Sequence, residues 1–167
     1  MLTLVGIFII YSYFKMGLDM IPIRSIIVSA VLLAKIDSEF KILLMKRVKG
    51  DFWCHVAGKI EANESGTEAI LREIQEETGI QPLQLFSADY IEQFYEPSLN
   101  VIEMIPAFVG FCSDDQNVIL NHEHTEYRWC SLAEAKAFVV FSNQRKLYDF
   151  IWGNFVENQP VSLLKII

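Results

Sequence analysis

Hydrophobic positions along the chain switch between two periods, and the switches set out a series of strands and helices. Residues 23–34 (IRSIIVSAVLLA) are a long apolar, β-branched run, expected as one buried strand. Asp37-Ser38-Glu39 supplies a turn, and Lys41 to Arg47 (KILLMKR) returns as a second strand that Gly50-Asp51 ends. Leu83 to Tyr95 and Val101 to Cys112 read as a strand pair joined through Glu96-Pro97-Ser98-Leu99-Asn100, and Glu126 to Cys130 as a short strand. Leu132 to Phe138 and Ser142 to Phe155 are expected to be helical. In the second, Leu147, Phe150, Ile151 and Phe155 form an apolar stripe that points to core packing.

The best-marked helix lies between Ser65 and Ile80. Ser65-Gly66-Thr67-Glu68 fits a capping box, and Gly79 stands where a left-handed residue ends a helix. Between them, TEAILREIQEET makes about three turns, with Ile70 and Ile74 on the buried side. Glu73, Glu76 and Glu77 fall at i, i+3 and i+4, so three carboxylates share one face. Like charges at that spacing cost an isolated helix a few tenths of a kcal/mol per pair, and Arg72 offsets only part of this.

Composition bounds the rest. A chain of 167 residues with 52% hydrophobic residues supports one globular domain with a sizeable core. A net charge of −7 argues against binding a nucleic-acid polymer through a basic field. Cys54, Cys112 and Cys130 form no C-x-x-C pair and are expected as reduced, packed thiols, which suits a cytoplasmic setting. Leu2 to Phe14 is uncharged and apolar, yet shorter than the roughly 20 residues of a bilayer span. No basic segment precedes it, as a secretory signal would require. Residues 1–20 are therefore set apart as an apolar extension: an over-long translation start, an added hydrophobic element or a shallow anchor, with the first favoured and a membrane protein not expected. Residues 21–157 form the expected domain and 158–167 a C-terminal tail.

An acidic helix face is ordinarily a solvated surface. Its context here is more specific: Gly58, five residues, Glu64, seven residues, then Arg72-Glu73-Ile74-Gln75-Glu76-Glu77-Thr78-Gly79-Ile80. All nine fixed positions of G-x5-E-x7-R-E-U-x-E-E-x-G-U are filled, U being a bulky apolar residue. This pattern resembles the signature of the Nudix hydrolases. The resemblance implies an α/β fold, an α/β/α sandwich with a mixed β-sheet, and hydrolysis of a diphosphate linkage with Mg²⁺ or Mn²⁺ as cofactor. Hard cations held by carboxylate oxygens suit a polyanionic substrate. By the same resemblance Glu76 and Glu77 are the main metal ligands and Glu73 a ligand or base. The Gly58 carbonyl completes the set, Arg72 steadies the carboxylates and Glu64 orients the loop. The sequence departs from the commonest family pattern in two places: Val56-Ala57 precedes Gly58 where Pro-Gly is frequent, and Asn63 replaces a glycine, a substitution asparagine tolerates in left-handed backbone.

Substrate choice lies outside the motif. Residues 51–61 (DFWCHVAGKIE), 123–129 (EHTEYRW) and Ser142-Asn143-Gln144-Arg145 look like the branch that contains dihydroneopterin triphosphate diphosphatases of folate biosynthesis. A late glutamate carried over from the family is Glu123, as a metal ligand or water-activating group, against the plain reading of a solvated loop acid. Trp53 could stack on a heterocycle, as could Phe94-Tyr95, though burial in the core is the plainer expectation for each. Lys46 and Arg47 stand at a strand end where they could meet phosphates, Lys46 reading equally as an exposed strand residue. His55, His122 and His124 are expected as loop residues without a role. The substrate expected is a small pterin or nucleoside polyphosphate, dihydroneopterin triphosphate first, with dATP or an oxidised deoxynucleotide as alternatives and a non-catalytic nucleotide sensor as the rival class. Dimers are frequent in the family, so a homodimer is carried over as an open expectation.

Overall fold

The computed structural model describes residues 20–167, so the apolar run Leu2 to Phe14, with all of the extension except Met20, lies outside the described residues. Eight strands form one sheet: β1 (Ile23–Arg24), β2 (Ile27–Ile36), β3 (Glu39–Arg47), β4 (Trp53–Cys54), β5 (Val56–Lys59), β6 (Gln84–Glu96), β7 (Val101–Cys112) and β8 (His124–Cys130). Among the described residues three α-helices accompany them: α1 (Gly66–Thr78), α2 (Leu132–Phe138) and α3 (Ser142–Ile151). β1 and β2 run parallel to β7, while β2–β3, β2–β5, β3–β4, β3–β8 and β6–β7 are antiparallel, so the sheet is mixed. No helix among the described residues is long and apolar enough to cross a membrane.

Side-chain alternation along β2 explains the layers. Val28, Ala30, Leu32 and Ala34 face α1, where Ala69, Ile70 and Ile74 pack on them; Val31 and Leu33 face α2 and α3, meeting Ala135, Leu147, Tyr148 and Ile151. A strand buried on both faces therefore reads as an unbroken apolar run. Full burial of Ile70 and Ile74 contributes roughly 1.5–3 kcal/mol each, enough to outweigh the carboxylate repulsion along α1.

Three expectations are corrected. The run 23–34 is two strands, interrupted at Ser25-Ile26, where the Ile26 carbonyl accepts a hydrogen bond from the Ile60 N–H. Helix α3 ends at Ile151, and Trp152–Val156 continues as a wider π-helical turn. β4 and β5 had no counterpart among the expected elements, being too short to show a period. The tail attaches to the sheet: the Ile166 and Ile167 N–H groups donate to the Leu85 carbonyl.

On its edge away from β7, β2 changes partner. It pairs with β5 over residues 27–30 and with β3 over 33–36, so β3 and β5 diverge and the segment joining them fills the opening. The motif residues gather at that divergence.

Candidate active site

Helix α1 is anchored at both ends as its caps require. The Ser65 hydroxyl accepts from the Glu68 N–H (3.2 Å), the Glu68 carboxylate accepts from the Ser65 N–H (2.8 Å), and Gly79 closes the helix at φ 70°. One guanidinium then ties the helix to the preceding loop. Arg72 donates through Nε and Nη2 to both oxygens of Glu64 (2.7 and 2.9 Å) and through Nη1 to Glu73 (2.8 Å) and Glu76 (3.3 Å). It also donates through Nη2 to the Lys59 carbonyl (2.8 Å). Such a bidentate fork fixes orientation as well as charge. It holds the Glu64 carboxyl well down, at about 2, helped by the Glu61 N–H, which donates to Glu64 at 2.9 Å. Asn63 sits at φ 67°, so the left-handed turn survives the loss of the family glycine.

Glu77 is the buried member of the set. Its side chain is 3% exposed, its Oε2 finds no partner among the described residues, and the Ala57 N–H donates to the carboxylate. Burial, reinforced by the charge of Glu73, pushes the carboxyl up to about 8, against the pull of Ala57 and Arg47. A raised pKa favours folding of the protonated form, so this group's contribution is lost as pH rises from about 4.5 to about 8. Thermal unfolding in EDTA should show the metal-free protein weakening across that window, and Glu77→Gln should flatten the trend. The Glu64 shift acts at lower pH and does not mask it.

An orphaned buried carboxylate oxygen is what a hard cation would satisfy. A second observation agrees: Gly58 lies so close to Glu73 that a Cβ there would overlap its carboxylate. With Arg72 holding Glu73 and Glu76, no three acidic, His or Cys side chains converge on one point among the described residues. The fit to a divalent ion rests instead on the orphaned Glu77 oxygen and the close approach of Gly58 to Glu73. Gly58→Ala should cost about 10- to 100-fold in kcat/KM by displacing Glu73, the scale seen when a ligand's support is lost; unchanged kcat/KM would show that this close approach is incidental.

Beside the carboxylates opens a cleft of about 620 Å³. Arg47, Cys54 and Ala57 line it on the Glu77 side. Arg47 donates to the Glu123 carboxylate (2.7 Å), and the charges of Arg47 and Glu123 both reach Glu77. The far walls are Phe52 and Phe141, in edge contact at 5.6 Å, facing Phe94 and Tyr95. A shallower depression lined by Lys35, Asp37, Leu83 and Ser113 holds no motif residue.

The structure thus brings Gly58, Arg72, Glu73, Glu76, Glu77, Glu123 and Arg47 into one region. It places Trp53 and Lys46 elsewhere. The Trp53 ring packs on Phe138 under the Arg128 guanidinium, outside the cleft, because neighbouring residues of an extended segment face opposite ways and Phe52 takes the cleft side. Lys46 pairs with Asp51 and Glu126 (2.9 and 3.7 Å), also outside it. Phe94 and Tyr95 are about half exposed on the cleft wall, not in the core. His124 opens β8 as a buried residue, its pKa lowered by burial, and His55 is 3% exposed within a polar network. His124 is thus a strand residue, while His55 occupies the connection between β4 and β5 as a buried member of that network. The thiols of Cys54, Cys112 and Cys130 are free and buried, burial pushing Cys54 up to about 12.

The family model described as "NUDIX domain" matches residues 26–150. The chain is 33% identical over 121 residues to the asymmetrical bis(5'-nucleosyl)-tetraphosphatase of Mus musculus, covering 68% of this chain and 80% of that one. It is 24% identical over 147 residues to dihydroneopterin triphosphate diphosphatase of Escherichia coli, covering 80% and 96%. A match to the octanoyltransferase of Myxococcus xanthus, 30% identical over 112 residues, covers 65% of this chain and only 31% of that protein. Among solved structures, C. elegans Ap4A hydrolase superposes with a TM-score of 0.69 at 20% identity, covering 78% of this chain and 97% of the other.

Proposed function

Because the chain belongs to the Nudix hydrolase family, we propose that it hydrolyses a nucleoside-triphosphate-like diphosphate linkage with a divalent cation, releasing a monophosphate and pyrophosphate, and that dihydroneopterin triphosphate is its substrate. The observation that carries the metal dependence is the buried, unpartnered Glu77 Oε2 beside Gly58 and Glu73. The substrate assignment is supported by the relative that matches over nearly its whole length and by an aromatic-walled cleft next to the carboxylates.

Glu76, Glu77, Glu73 and the Gly58 carbonyl would hold the ion, with Glu123 as a further candidate ligand. When bound, Mg²⁺ or Mn²⁺ cancels phosphate charge and polarises the scissile phosphorus–oxygen bond. The chain's own residues do the positioning. Arg72 keeps Glu73 and Glu76 aligned on the helix face and, through Glu64 and the Lys59 carbonyl, fixes the end of β5 and the loop that follows it. Arg47 stands between the carboxylates and the cleft, where exchanging its contact with Glu123 for a phosphate oxygen would both bind substrate and free Glu123 to accept a proton from water. Phe52, Phe94 and Tyr95 offer apolar faces to a flat ring.

A second reading, cleavage of a dinucleoside polyphosphate, draws support from the tetraphosphatase relatives. Phosphorus NMR of products separates the two, using the full chain with Mg²⁺ and a panel of dihydroneopterin triphosphate, dATP, 8-oxo-dGTP, ADP-ribose and diadenosine tetraphosphate. Pyrophosphate released fastest from the pterin is the expected result. A faster dATP or 8-oxo-dGTP would move the enzyme to nucleotide-pool cleaning, and faster release of ATP from the tetraphosphate would favour the second reading. No hydrolysis of any member would overturn both.

A further inference from the structure

The cleft floor carries a buried polar chain that the hydrolytic chemistry above does not use. Ser29 Oγ donates to Glu92 Oε1 at 2.7 Å, and His55 Nε2 lies 3.1 Å from the same oxygen. His55 Nδ1 is 2.9 Å from the Tyr148 hydroxyl. Tyr148 is fully buried, and burial keeps its hydroxyl protonated, so it can meet Nδ1 as donor or acceptor while the Nε2–H donates to Glu92. Burial works against ionisation of Glu92, but His55 and Ser29 outweigh it and hold the carboxyl below its ordinary value.

Two donors therefore fix one carboxylate oxygen. The other, Oε2, receives no hydrogen bond from any described residue, and Glu92 lines the cleft beneath Phe94 and Tyr95. Nearby, Gln144 also lines the cleft with its carbonyl oxygen unpartnered. An ionised carboxylate only accepts hydrogen bonds, so a ring held there gains by presenting N–H groups and loses by presenting carbonyl oxygens. A 2-amino-4-oxo pyrimidine edge, shared by guanine and pterins, offers a ring N–H beside an amino group. Adenine offers one amino group next to an acceptor nitrogen, and thymine flanks its single N–H with two repelling carbonyls.

We propose that Glu92, positioned by Ser29 and by the His55–Tyr148 pair, is the specificity-determining residue of this site and selects heterocycles that carry the 2-amino-4-oxo edge. The proposal rests on the reading of the chain as a triphosphate pyrophosphohydrolase. It goes further by naming the group that reads the ring. Glu92 acts on binding and takes no part in cleavage.

The test uses a substrate pair that differs only in the donor: dGTP and dITP, which lacks the 2-amino group. The unaltered protein should prefer dGTP by about 10- to 100-fold in kcat/KM, the scale of a lost hydrogen bond to a charged group. Glu92→Gln should bring that ratio close to one by raising KM for dGTP, with kcat on dITP retained. Tyr148→Phe, which removes only the hydroxyl supporting His55, should shrink the ratio through KM and leave kcat unchanged. Equal kcat/KM for the two nucleotides in the unaltered protein would overturn the proposal, whatever the variants do. So would a Glu92→Gln protein that is slower on both with the ratio intact. Calorimetric binding of the same pair separates the proposal from the reading beneath it. Tighter binding of dGTP without hydrolysis upholds ring selection and removes the enzyme assignment; hydrolysis without discrimination does the reverse.

Discussion

Glu77→Gln should lower kcat with Mg²⁺ by about 10³-fold, since a catalytic metal contributes several kcal/mol to the transition state and the substitution would remove the charge of the most buried of its proposed ligands. The substitution is well controlled by the fold. With its carboxyl raised to about 8, Glu77 is mostly protonated in the metal-free protein at neutral pH, so the neutral amide keeps both shape and charge state. In EDTA near pH 4 the variant should unfold at the same temperature as the parent, and at a progressively higher one as pH rises to about 8, because the parent must take up a proton at Glu77 to fold and the amide need not. Steady-state rates with calorimetric melting check both halves. Turnover at the parent level would remove Glu77 from the metal set.

The second large effect is expected at Arg72. Its guanidinium satisfies three carboxylates and one carbonyl, and Arg72→Ala would leave Glu64, Glu73 and Glu76 to repel one another across the loop and helix. A loss of about 10- to 100-fold in kcat/KM is expected, the range for groups that orient metal ligands. Arg72→Lys should recover little of it, because a single ammonium cannot reproduce a planar fork reaching Glu64 at two points and Glu73 and Glu76 at others. Full activity in the lysine variant would reduce Arg72 to a charge donor.

Much of this site was legible because its parts are local in the chain. Gly58 to Ile80 spans one loop and one helix, and helical spacing alone places Glu73, Glu76 and Glu77 together. Parts that depend on strand register were not legible. Whether Phe52 or Trp53 enters the cleft depends on which face of a short extended segment each takes, and β4 is two residues long. Glu92 and His55 are 37 residues apart and meet only because β6 and β5 are brought together by β7 and β2. A signal did exist. Phe86, Ala88 and Tyr90 alternate towards α3, and Glu92 is the next member of that series, an acid where the pattern calls for an apolar residue. β6 also carries two residues more than β7 between Ser87 and Ile91, with Asp89 at φ 54°, an irregularity that no period in the sequence discloses.

The central claim is that the α1 carboxylates hold a divalent cation through a glutamate that is protonated without it. Calorimetric titration of Mn²⁺ or Mg²⁺ at pH 7, repeated in buffers of different ionisation enthalpy, counts the protons released on binding. Saturable binding with release of about one proton, lost in Glu77→Gln, is the predicted result. Binding that releases no proton, or that the substitution leaves unchanged, would contradict it.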